Sequence, residues 1–194
     1  DFFMENPVWK LNIKNQIKLI KKFKLLLYSC NKLKIDKIIL PLVDNSSIKN
    51  KSEEDQLCVF IFKFNTFLKN NRLKILFESD KNPIELNKFI NKFPKKNFGI
   101  NYDTGDSASL GHDSIEQLNL NGKSIFNIHI KDRKYKGNTV PLGEGDFEFD
   151  KFFKRLKKTH YRGNFILQTA RSKNNEHEKD LKKYYTFLSK LLLK

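Results

Sequence analysis

The stretch FGINYDTGDSASLGHDSIEQLNLNGKSIFNIHIKDRKYKGNTVPLGEGDFEF, residues 98–149, decides the fold. It opens with an apolar run, Phe98 to Tyr102, that stops on Asp103. A second apolar run, Ile125 to Ile130, carries His129. Lys131, Asp132 and Arg133 then read as a loop, and Gly143-Glu144-Gly145 turns the chain into a helix. Side chains of metal-ligand and substrate-ligand type therefore gather where apolar strands stop. In parallel α/β proteins that is where chemistry is done.

Working outward, Asp1–Met4 reads as a short strand closed by Pro7. Asn12 to Lys32 reads as a helix with Ile13, Ile17, Ile20 and Leu27 on its buried face. Ile35 to Val43 is strand-like, and Ser52-Glu53-Glu54-Asp55 starts a helix that buries Leu57, Phe60, Ile61, Phe64, Phe67 and Leu68. Leu73 to Phe77 is a strand ending on Glu78, and Asn82-Pro83 opens a helix with Leu86, Phe89, Ile90 and Phe93 inward. A weaker helix covers about Ser114 to Leu120. After the His129 strand, Phe149, Phe152, Phe153 and Leu156 mark another helix, and Asn164 to Thr169 is a strand carrying Gln168. Leu181, Tyr184, Tyr185, Leu188, Leu191 and Leu192 stripe the last helix.

Strands and helices in strict alternation imply parallel strands joined by right-handed crossovers. No dinucleotide-type glycine fingerprint and no phosphate-binding loop occurs, which argues against a doubly wound nucleotide-binding sheet. Glu78, Asp103, His129 and Gln168 stand at the ends of four successive strands. A barrel makes such ends converge, whereas an open sheet strings them along an edge. The expected fold is a TIM-type (β/α) barrel.

A chain of 194 residues with 18 phenylalanines suits one domain with a substantial core. No apolar run approaches the ~18 residues that span a bilayer, so no membrane role and a cytoplasmic location are expected. Cys30 and Cys58 lack metal-type spacing and read as buried free thiols. The net charge of +16 raises nucleic acid as a partner. However, the lysines are spread over the outward faces of nearly every helix, as compositional drift towards Lys, Asn, Ile and Phe would spread them. Nucleic acid is set aside on that ground; a homo-oligomer is left open.

One imidazole, two carboxylates and an amide carbonyl suit a divalent ion of intermediate hardness, Mn²⁺ first, then Mg²⁺, Co²⁺ or Zn²⁺. Lys131 and Arg133 could bind a substrate phosphate or carboxylate, or be a solvated loop. Gly143 and Gly145 either let backbone amides approach an anion or serve a tight turn.

The runs Gly99–Gly111, Ile128–Arg133 and Val140–Gly145, supported by Phe77-Glu78 and by Tyr161 with Gly163, resemble the xylose isomerase-like barrel superfamily, and within it the sugar phosphate isomerase/epimerase group. The resemblance covers most of the chain. It implies a divalent metal held by Glu78, Asp103, His129 and Gln168, with Glu78 and Gln168 at the catalytic positions. It also implies substrate contacts from Asp106, Lys131, Arg133 and Arg171, and a sugar or sugar phosphate as small-molecule substrate. The implied chemistry is proton abstraction beside a metal-polarised carbonyl.

Three departures qualify it. Gln168 stands where the family has a second glutamate; it can ligate a metal but cannot accept a proton. Asp106 stands where many relatives carry His or Asn. If Glu78 ends strand five, Asp1–Met4 is strand three, and residues 1–194 form a single barrel domain lacking its first two βα units, as a fragment of a longer protein would. Two alternatives remain. An abasic-site endonuclease of the same superfamily needs three zinc ions and many histidines, against four here. A non-catalytic sugar-binding barrel is suggested by Gln168.

Overall fold

The computed structural model describes residues 2–172 and 174–193. The chain divides into two compact units, Asp1–Asp80 with Asn91–Gly99, and Lys81–Ile90 with Ile100–Lys194. The main sheet has five strands, β1 (Lys37–Leu42), β2 (Lys74–Ser79), β3 (Phe98–Asp103), β4 (Ile125–Ile130) and β7 (Asn164–Leu167), in the order β1-β2-β3-β4-β7. The pairs β1–β2, β3–β4 and β4–β7 are parallel. Each strand lies beside its predecessor in the sheet, with no reversal of order. That is the barrel pattern, and it differs from a doubly wound sheet, which reverses at a switch point. The short strands β5 (Asp132–Arg133) and β6 (Thr139–Val140) form a separate antiparallel hairpin after β4.

In the first unit, α1 (Phe2–Glu5) is followed by a 3₁₀ turn, Val8–Lys10, and by α2 (Ile13–Lys32). Phe2–Met4 is thus helical, where the sequence suggested a strand; Asp1 lies outside the described residues. A four-residue apolar run fits either conformation, and tertiary packing decides: Phe3 is buried edge-on against Phe23 and near Phe60. Asn12 caps α2 by accepting from the Asn15 amide at 3.1 Å. The buried stripe of α2 is Leu19, Phe23, Leu27 and Cys30, so Ile13 (76% exposed) and Ile17 (52%) face away from the core, contrary to the expected face. The expected helix after Ser52 is two, α3 (Lys51–Phe62) and α4 (Asn65–Asn70). Asn50 caps α3, accepting from Glu53 N, while the Glu53 carboxylate accepts from Lys49 N. Phe23, Phe60 and Phe64 pack together, and Phe77, Phe93 and Phe98 form a second aromatic group behind β2. Pro41 sits in β1, an outermost strand, where a missing N–H is tolerated. Cys30 is buried and Cys58 half-buried; both are free thiols.

In the second unit, α5 (Pro83–Ile90) buries Leu86, Phe89 and Ile90 as the spacing requires. Asn121 ties it to α7 (Ser114–Asn121) by donating to the Pro83 carbonyl at 2.9 Å. Between them, α6 (Thr104–Leu110) starts directly on the last residue of β3 and ends at Gly111, whose φ of 68° is left-handed. The periodicity of Thr-Gly-Asp-Ser-Ala-Ser gave no sign of α6. The helices α8 (Phe149–Leu156) and α9 (His177–Leu193) complete the unit. Tyr102, Phe147, Phe152 and Phe153 form its aromatic core. Along α9 only Tyr184, Leu188 and Leu191 are buried, while Leu181, Tyr185 and Leu192 are exposed. No helix among the described residues is long and apolar enough to cross a membrane.

Candidate metal centre

Strand register creates the heart of the site. In β3 paired with β4, Asn101 stands opposite Asn127 and Asp103 opposite His129. Side chains alternate across a strand, so Asn101 and Asp103 share one face with Asn127 and His129. All four are nearly inaccessible, between 1% and 8% exposed. Asp103 Oδ1 accepts from the Asp106 amide at 2.9 Å, capping α6. Its other oxygen, Oδ2, faces His129 Nδ1 at 3.8 Å and Lys131 Nζ at 3.5 Å.

Lys131 is held from two directions. Its amide donates to Thr104 Oγ1 at 2.9 Å, and the Thr104 hydroxyl reaches the Lys131 carbonyl at 2.6 Å. Its side chain crosses the first turn of α6 at Gly105, where a Cβ would come within 2.6 Å of Lys131 Cγ. A glycine is therefore required there for the lysine to lie where it does. Asp106 receives Arg133 at 3.0 Å and lies 3.6 Å from Lys131 Nζ, so its charge is offset by two cations. Arg133 is further tied into its own hairpin, with Nε and Nη2 donating to the Gly137 carbonyl at 3.1 and 2.9 Å.

Asp132, which the sequence placed in the loop without a role, is fully buried. Its carboxylate accepts from the amides of Gly143 (2.9 Å), Gly145 (2.9 Å) and Phe147 (3.3 Å). The glycine amides that the sequence offered to an outside anion thus hold an internal one. Asp146 adds to the clamp by accepting from the Tyr135 amide and from Lys134. These bonds pull its carboxyl below the ordinary aspartate range, the Tyr135 amide contributing most. Burial pushes the Tyr102 phenol far above its usual range, so it stays protonated and donates to Ser107 at 2.8 Å.

Glu78 is the penultimate residue of β2 and half-buried. Glu78, Asp103 and His129 each offer one ligand atom, and these atoms lie within 4.8 Å of one another. Two carboxylates and one imidazole fit a divalent cation of intermediate hardness. Gln168 directly follows β7; its amide donates to the Ile130 carbonyl at 3.0 Å and its side chain is exposed. Arg171 lies three residues further on, exposed and outside any helix or strand. Asn101, Asn127, Thr104 and Asp132 were not found by sequence reasoning. The two asparagines carry a usable signal, since each stands two residues before a proposed ligand on the same strand face.

Comparison with known proteins bears on the fold. A putative L-ribulose-5-phosphate 3-epimerase, SgbU, of Haemophilus influenzae is 34% identical over 86 residues, 41% of this chain but 30% of that protein. The chain therefore aligns with about a third of the length of this curated relative. Among solved structures, the IOLI protein with a binding zinc atom superposes with a TM-score of 0.78 at 18% identity, over 94% of this chain and 72% of that one. The D-allulose 3-epimerase of Methylomonas sp., in complex with D-allulose, gives 0.78 at 14% identity over the same shares. The family profile described as xylose isomerase-like TIM barrel matches residues 16–191, and with this extent of match the chain belongs to the xylose isomerase-like TIM barrel family.

Proposed function

We propose that this chain is the catalytic part of a metal-dependent isomerase or epimerase acting on a sugar or sugar phosphate. The observation that carries the reading is the meeting of Glu78, Asp103 and His129 ligand atoms within 4.8 Å. Named relatives of epimerase type support the substrate class. A divalent cation, Mn²⁺ by preference of the mixed donor set, would be held by Glu78, Asp103 and His129, with the Gln168 carbonyl as a fourth donor. When bound, it supplies the Lewis acidity that makes a C–H beside a ketose carbonyl removable.

The remaining work falls to the chain's own groups. Glu78 takes the proton from the hydroxyl-bearing carbon and delivers it to the neighbouring carbonyl carbon, while the hydroxyl proton moves to the carbonyl oxygen. Gln168 cannot share in proton transfer, so a one-base isomerisation suits this site better than a two-base epimerisation. Lys131 and Asp106 orient substrate oxygens, and Arg133 and Arg171 serve the far, phosphate-bearing end. Gln168 also favours a second reading, a sugar-binding barrel without turnover.

Metal analysis combined with deuterium uptake tests both. After loading with Mn²⁺ or Co²⁺, about one ion per chain is expected, with deuterium from D₂O entering a ketose or ketose phosphate and E78Q abolishing the uptake. Sugar binding with no deuterium uptake selects the second reading. Absence of bound metal overturns the first reading, and absence of sugar binding overturns the second.

A further inference from the structure

Lysine ordinarily lays its stem on the protein and keeps its ammonium in water. Lys131 does not. Thr104 Oγ1 holds its amide and its carbonyl, at 2.9 and 2.6 Å. Its stem then follows the bare face of Gly105, where an added Cβ would lie between 2.6 and 3.0 Å from the lysine Cγ, Cδ and Cβ. The side chain is 19% exposed, and its ammonium lies between two carboxylates, 3.5 Å from Asp103 Oδ2 and 3.6 Å from Asp106 Oδ1. These two acids are not equivalent. Asp106 also receives Arg133 at 3.0 Å, so it keeps a cation if the ammonium moves. The Asp103 side chain is 1% exposed, with Oδ1 capping α6, and Oδ2 is the oxygen that faces both Lys131 and His129. A carboxylate this deeply buried needs positive charge beside it.

We infer that Lys131 is a resident cation of this site: its ammonium neutralises Asp103 before an ion binds and competes with a divalent ion for that carboxylate. A carboxylate oxygen has room for an N–H and an ion together. However, an ammonium and a doubly charged ion on one buried oxygen repel each other strongly, because little water screens them. Ion binding therefore drives the ammonium from Asp103 towards Asp106, and the chain holds its ion less tightly than the ligands alone would. The displaced ammonium is then left for a substrate oxygen. The inference deepens the metal-dependent reading above and rests on it for its purpose, but the pairing of Lys131 with Asp103 is measurable without metal.

The test compares the native chain with K131M, which keeps a stem beside Gly105 and removes the charge, by Co²⁺ titration and by urea unfolding. Two changes of opposite sign are expected. Without metal, K131M should unfold at lower urea than the native chain, because Asp103 has lost its cation. Its Co²⁺ affinity should nevertheless rise about tenfold, because the competitor is gone. A lysine that only kept the loop in shape would give lower stability and weaker Co²⁺ binding together. In a D103N background, whose amide oxygen still caps α6, K131M should shift the metal-free midpoint much less than it does in the native background. If K131M does not fold without metal, G105A takes its place in each comparison; it keeps the charge but pushes the stem aside, and the same directions are expected. Co²⁺ affinity that is unchanged or weaker in the folded variant overturns the inference, as does a midpoint shift that is undiminished in D103N. Absence of Co²⁺ binding by both the native chain and the variant, with the D103N result as expected, defeats the metal reading and leaves the Lys131–Asp103 pairing in place.

Discussion

Strands β4 and β7 are neighbours, and the sequence assigns each a metal donor at its C-terminal end, yet they hold their ends very differently. β4 lies between β3 and β7 in the sheet, and five of its six residues are buried. The chain leaving it is fastened at once, by Thr104 to Lys131 and by the buried Asp132 to three amides across a 15-residue separation. β7 is outermost in the sheet order, four residues long and alternately exposed, and Gln168 emerges from it into solvent. A donor flanked by strands on both sides and followed by a pinned loop is preorganised; a donor at the end of an outer strand is not. Precision is therefore concentrated on the Asp103–His129 side.

The sharpest way to break this contrast is to remove the pin. Asp132→Ala leaves three amide donors without their acceptor in a largely buried loop, and the chain should lose about 3–5 kcal/mol in urea unfolding. Gly145→Ala attacks the same clamp from the other side. A Cβ at Gly145 would run into the Asp132 carboxylate and lie 2.8 Å from the Arg133 carbonyl, for an expected loss of about 2–4 kcal/mol. Gln168→Ala, in contrast, should cost less than ~0.5 kcal/mol. Similar losses for Asp132→Ala and Gln168→Ala would show the two strand ends to be equally held.

The same contrast explains what could be read from the sequence. Buried strands such as Ile125–Ile130 and helices such as Pro83–Ile90 declare themselves, because an apolar run or a 3.6-residue stripe is dictated by burial. Glu78, Asp103 and His129 could be singled out because a polar residue closing such a run is conspicuous. The supporting groups were hidden for physical reasons. Asp132 looks like any charged loop residue until its backbone partners, 11 to 15 residues away, are in place. α6 depends on Asp103 as its cap and on Gly111 as its stop, neither of which leaves a periodic trace. Phe2–Met4 was too short for its period to be read, and Ile13 and Ile17 suit a stripe that the neighbouring helices do not cover.

A smaller effect, on binding rather than stability, should follow from Gln168→Glu. The exposed position tolerates the change, so the unfolding midpoint should move little. If Gln168 reaches the ion, a carboxylate in place of an amide should tighten Co²⁺ binding about tenfold, and a chain that lacks deuterium uptake should gain it. Unchanged affinity together with unchanged uptake would remove Gln168 from the site and leave the outer strand without a part in it.

The smallest expected effect concerns the outer fastening of the loop after β4, at Asp146. Its folded-state pKa lies below the ordinary value, chiefly because the Tyr135 amide and then Lys134 bind the ionised form. A depressed carboxylate pKa gives stability that is fully present above the unfolded-state value and disappears as pH falls through the folded-state value. Asp146→Asn should therefore be slightly less stable than the native chain near pH 7, and the gap should close as pH is lowered towards about 3. Because Asp146 is exposed, the gap should also shrink with added salt through screening of the Lys134 pair at 3.2 Å. A gap that stayed constant with pH would mean that the bond to Tyr135 N survives protonation, and that the loop depends on Asp132 alone for its electrostatic hold.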